Sequence, residues 1–94
     1  YPNAFNPTTV IEFNLPEPVL VTLKIYNVLG QEVARLLDRQ EMDEGEKEIE
    51  FNAKGLSSGL YFYRLVAEGF GEEEDAKAVT GATFVSVKKM LLLK

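Results

Sequence analysis

The chain has 94 residues, 46% hydrophobic and 27% charged, which suits one globular domain with a single core and no deep cleft. It contains no His, no Cys and no Trp. That removes the commonest general base, the thiolate nucleophile, any disulfide and every zinc site built from Cys or His. A formal net charge of −5 argues against nucleic acid, because phosphate binding is driven by Lys and Arg.

No apolar run approaches the ~20 residues of a membrane span, and no N-terminal signal peptide is visible. The sequence opens at Tyr1-Pro2 without Met. Residues 1–94 therefore read as one domain belonging to a longer protein.

Pro2, Asn3, Asn6 and Pro7 make a turn-rich entry segment. Thr8 to Leu15 then alternates, with Ile11, Phe13 and Leu15 on one face and Glu12 and Asn14 on the other, as a half-buried strand does. Pro16 and Pro18 stop it, since neither can donate to a ladder. Val19 to Tyr26 repeats the alternation, with Val21, Leu23 and Ile25 inward. Asn27 to Gly30 reads as a turn and Gln31 to Leu37 as the return strand of a hairpin. Leu29, Val33, Leu36 and Leu37 also fit helical spacing, but Gly30 leads straight in and no capping residue precedes it, which favours the strand.

Glu46 to Phe51 alternates again, exposing Glu48 and Glu50 beside Ile49 and Phe51. Asn52 to Gly59 is a loop. Leu60 to Ala67 is rich in aromatic and branched residues, and both of its faces look substantially buried. Gly69 to Gly81 is polar and holds Glu72-Glu73-Glu74-Asp75. Thr83 to Val87 and Lys89 to Leu93 follow, as one strand or as two joined at the lysine pair. Short strands with turn signals every 8–12 residues predict an all-β, antiparallel β-sandwich of about seven strands.

Charge is distributed unevenly. Residues 41–75 carry eleven acids against three bases, and the remainder four acids against seven bases. Glu72, Glu73, Glu74 and Asp75 offer the carboxylates that a calcium site needs. They lack the spaced pattern that wraps ligands around one ion, so a solvated acidic loop is the favoured reading. No metal, cofactor or catalytic residue is expected. Glu46, Glu48 and Glu50 read as a solvated face that also guards a sheet edge. Tyr26, Tyr61, Tyr63 and the phenylalanines fit a sandwich core better than a sugar-binding platform. The terminal Lys88-Lys89-Met90-Leu91-Leu92-Leu93-Lys94 admits two readings. It is either an edge strand with gatekeeper lysines or a recognition element whose Lys88, Lys89 and Lys94 face an acidic or anionic receptor surface.

Four segments in order resemble the C-terminal sorting domain of the type IX (Por) secretion system of Bacteroidetes and related bacteria. The first, Tyr1-Pro2-Asn3-Ala4-Phe5-Asn6-Pro7-Thr8-Thr9, is similar to that family's opening YPNPFNPTT. The second is Leu15-Pro16-Glu17-Pro18 followed by Val21 to Val33. The third is Leu56-Ser57-Ser58-Gly59-Leu60-Tyr61, an L-x-x-G-x-Y element, and the fourth is the lysine-bracketed Lys89 to Lys94. The resemblance implies an immunoglobulin-like sandwich acting as a secretion address on a secreted or cell-surface cargo that passes through the periplasm. Its implied partners are the outer-membrane translocon, a sortase-like peptidase, and the cargo domain in the same chain. Gly59, Tyr61, Lys89 and Lys94, with Lys88 beside them, carry over as recognition residues.

Ala4 departs from the family's usual Pro, and the 69–83 segment is longer than the turn expected there. The opening and hairpin also resemble the Ig-like domain of flagellar hook-capping proteins, which would make this an assembly module. An accessory carbohydrate-binding module is a further alternative and would show an exposed aromatic row.

Overall fold

A computed structural model describes residues 8–69 and 83–93. Six strands run in chain order: β1 (Thr8–Leu15), β2 (Val19–Tyr26), β3 (Glu32–Met42), β4 (Gly45–Asn52), β5 (Gly59–Gly69) and β6 (Thr83–Leu92). They form two antiparallel sheets, β1-β4 and β3-β2-β5-β6. The architecture is the all-β sandwich that the alternation predicts. The lysine pair leaves the last segment unbroken, because a strand has no objection to charge on a solvated face. It is a single strand rather than two, so six strands are seen among the described residues. The entry segment with Ala4, the Glu72–Asp75 cluster and Lys94 lie outside the described residues.

β2 shows most directly how the pattern builds the layer. Val19, Val21, Leu23 and Ile25 are buried while Leu20, Thr22, Lys24 and Tyr26 are not. Val21, Leu23 and Ile25 reach 0% exposure, and each buried side chain of this kind stabilises the fold by about 1.5–3 kcal/mol. The small sheet closes over them with Ile11 and Leu15 of β1 and Phe51 of β4, and Leu65 and Ala67 of β5 join from the same side as β2. The two layers thus share one core.

Pro16 and Pro18 end β1 and carry the chain from the small sheet to the large one, because Pro has no N–H to offer. The β2–β3 turn is held by Asn27. Its side-chain carbonyl accepts from the N–H of Leu29 at 2.9 Å and of Gln31 at 3.0 Å, and its amide donates to the Gln31 side chain at 2.7 Å. Gly30 closes the turn at φ +84°, a conformation that suits a residue without Cβ.

β3 continues to Met42, past the predicted end at Leu37. Residues 38–41 are exposed and polar, so hydrophobic alternation gives no sign of this extension. The pairing of β2 with β3 shifts register between Val21 and Leu23. Near that shift Arg39 adopts φ +48°, donates its N–H to the Thr22 hydroxyl at 3.1 Å and pairs with Glu68 at 2.8 Å. β5 also differs from expectation. Its inward residues Tyr61, Leu65 and Ala67 are buried, whereas on the other face Leu60 and Arg64 are exposed and Phe62 and Val66 half-buried. That face has no second layer of described residues against it.

Candidate recognition surface

β6 lies at an edge of the four-stranded sheet, hydrogen-bonded to β5 and, among the described residues, to no other strand. The two-stranded sheet covers the core beneath β2 and β5 but extends little under β6. Only Leu92 of β6 is buried; Ser86 and Met90 are half-buried, and Phe84, Val85, Val87 and Leu91 are exposed. A row of unpaired main-chain N–H and C=O groups flanked by apolar side chains is a template for strand addition.

The register places the lysines. Lys88 pairs with Tyr63 and shares the core-side face of the sheet, while Lys89 pairs with Phe62 and shares the outer face. Both are exposed, and neither has an ion-pair partner among the described residues. Arg64, opposite Val87, adds a cation to the outer face. Alternation within Thr83–Val87 was the one sequence signal that Val85 and Val87 would join that face.

The L-x-x-G-x-Y element sits one row on. Gly59 pairs with Leu92 and opens β5 at φ +153°, a region close to glycine-only. Tyr61 is 7% exposed, and its hydroxyl donates to the Ser57 carbonyl at 2.8 Å. A tyrosine tying its own upstream loop in this way recurs in immunoglobulin-type sandwiches. Tyr61 therefore acts from within the core, fixing the Ser57–Gly59 loop beside the end of β6. Gly59 and Tyr61 position this region, and Lys88 and Lys89 present charge from it.

The electrostatics differ across the molecule. On β2 and β3, Glu32 lies 3.1 Å from Arg35 and 3.6 Å from Lys24. The hydrogen bond from Arg35 holds the Glu32 carboxyl below the ordinary carboxylate range, and Glu32 in turn raises Arg35. The outer face of the small sheet is acidic. Glu12 stands opposite Glu48, Asn14 opposite Glu46, and Val10 opposite Glu50.

A cavity of about 230 Å³ beside Leu15, Pro16, Val19, Leu65, Ala67 and Phe84 is almost wholly apolar, and it is smaller than the usual small-molecule site. Among the described residues no group of acids is placed to hold a metal ion, and no helix is long and apolar enough to cross a membrane. Of the described aromatic residues only Phe84 is exposed, so no aromatic row is displayed.

A family model described as the secretion system C-terminal sorting domain matches residues 1–74. The match covers the opening segment, the hairpin and the L-x-x-G-x-Y element, and ends before β6. No curated protein and no solved structure matches the chain. With residues 1–74 of 94 matched and an all-β sandwich beneath them, the chain belongs to the secretion system C-terminal sorting domain family, the sorting signal of type IX secretion.

Proposed function

We propose that this domain is the non-catalytic address label of a cargo carried in the same chain, and that β6 is the part the machinery reads. The label takes its cargo through the periplasm to the outer-membrane translocon, and a sortase-like peptidase then separates the two. Lys88, Lys89 and Lys94 meet acidic groups on the receptor, while Gly59 and Tyr61 hold the neighbouring loop in place. The observation that carries this reading is the ordered edge strand itself. Among the described residues β6 offers a free main-chain edge and two exposed lysines, on a domain whose overall charge is negative. Edge pairing supplies affinity through main-chain bonds, and the side chains supply selectivity.

The test is K88E/K89E in the cargo-bearing protein, expressed in a host with a working type IX system. Both residues are exposed, so the fold should persist. Cargo should accumulate in the periplasm with its own activity intact. Deletion of Lys89–Lys94 should do the same, although it also removes Leu92 from the core. Undiminished surface delivery of folded K88E/K89E protein would refute the assignment.

A further inference from the structure

Three segments meet at one end of the sandwich. The β2–β3 turn and the Ser57–Tyr61 loop line a shared cleft of about 260 Å³, and Gly59, Leu60 and Tyr61 pair with Leu92, Leu91 and Met90. Residues 26–31, 55–63 and 90–93 contain no charged residue, in a chain where 27% of positions are charged. At the tip, Val28 is 63% and Leu29 78% exposed.

Among the described residues nothing calls for apolar side chains there. The turn conformation is set by the Asn27 hydrogen bonds and by Gly30, and Val28 and Leu29 take no part in the core. The tip is nonetheless braced by five hydrogen bonds among Asn27, Leu29, Gly30 and Gln31. A preorganised apolar projection loses little entropy on binding, and depletion of charge marks the centre of protein interfaces.

We infer that this end of the domain, led by Val28 and Leu29, is a docking surface for a protein of the secretion machinery that offers an apolar socket with an acidic rim. The acidic rim follows from charge complementarity, because Lys89 stands two residues from Leu91 on the same face of β6. An anionic lipid surface is disfavoured, because the domain carries a net charge of −5 and such surfaces recruit clusters of about four or more basic residues. The inference rests on the sorting function and adds a second contact to the lysine strand.

A reporter enzyme placed ahead of residues 1–94 in a type IX-competent host tests it. Wild type is compared with V28S/L29S, V28I/L29M, K88E/K89E and V10S, the last altering an exposed valine on the small sheet. Thermal unfolding of each chain is measured alongside. V28S/L29S should keep its melting temperature yet lose at least about tenfold of its secretion, the scale of a displaced interface anchor. V28I/L29M and V10S should secrete normally. Should V28S/L29S unfold, L29Q alone at the more exposed position carries the same comparison. Normal secretion of folded V28S/L29S, with K88E/K89E blocked, overturns this inference and leaves the lysine strand standing. Failure of the wild-type chain to direct secretion overturns both. Sedimentation of the purified chain as a dimer, or its binding to phosphatidylglycerol vesicles, would also overturn it if abolished by V28S/L29S, by naming another occupant.

Discussion

The Tyr61 anchor can be divided experimentally into hydroxyl and ring. Tyr61→Phe keeps the buried ring and removes the donor to the Ser57 carbonyl. Ser57 is exposed, so water can take over its carbonyl, and the loss should be that of one net hydrogen bond, about 0.5–1.5 kcal/mol. Tyr61→Ala also removes a ring that is 7% exposed, and deletion of a buried aromatic costs about 3–5 kcal/mol. A domain of this length has a stability of roughly 5–14 kcal/mol, so the alanine variant loses a large share of it. With about 4–8 °C per kcal/mol at this size, Tyr61→Phe should melt a few degrees lower, and Tyr61→Ala tens of degrees lower. Urea unfolding followed by far-ultraviolet circular dichroism suits a chain without Trp, and the denaturant slope should stay constant. Equal losses for the two variants would refute the division, and an unchanged midpoint for Tyr61→Ala would refute the burial of the ring.

Gly59→Ala should lower stability by about 1–3 kcal/mol through backbone strain alone, because the added Cβ would meet only the Tyr61 ring at 4.0 Å; an unchanged urea midpoint would contradict it. Glu48→Lys relieves the carboxylate opposition with Glu12 and should stabilise by about 0.2–1 kcal/mol. That gain should fade in 1 M salt, where the screening length is about 3 Å, and a gain that persists there would point to packing instead. Glu32 is held below its ordinary carboxylate value, first by the Arg35 hydrogen bond. Its contribution is therefore present above the unfolded value and lost as pH falls through the folded one. Glu32→Gln should shrink the drop in melting temperature between neutral and acid pH, and an identical acid limb in both proteins would exclude the contribution.

The parts of this fold that local chemistry decides were legible in the sequence. Alternation in Thr8–Leu15 and Val19–Tyr26, breaking by Pro16 and Pro18, and turning at Asn27–Gly30 each depend on a few adjacent residues. The length of β3 was not legible, because exposed Asp38–Glu41 hold their strand through pairing with β2 and a register shift near Arg39, not through hydrophobic pattern. Neither was the openness of the outer β5 face. Leu60, Phe62 and Val66 look like core until the second layer is seen to pack only against the other side. The same limit applies to the residues proposed for recognition. Lys88 and Lys89 were identifiable by charge, and Tyr61 by motif, but only the sheet register separates a buried brace from exposed contacts. Val28 and Leu29 read only as turn residues until the Ser57–Tyr61 loop is seen to lie beside them.

Adjacent residues in a strand point to opposite sides, so the two ammonium groups of β6 straddle the rim of the sheet. A flat receptor wall can reach one of them at a time. A partner that engages both has to grip the rim like a pincer, with a jaw on each side and the main chain at the hinge. Such a slot accepts a thin, single-layered margin and excludes any domain whose boundary strand is thickened by a second layer.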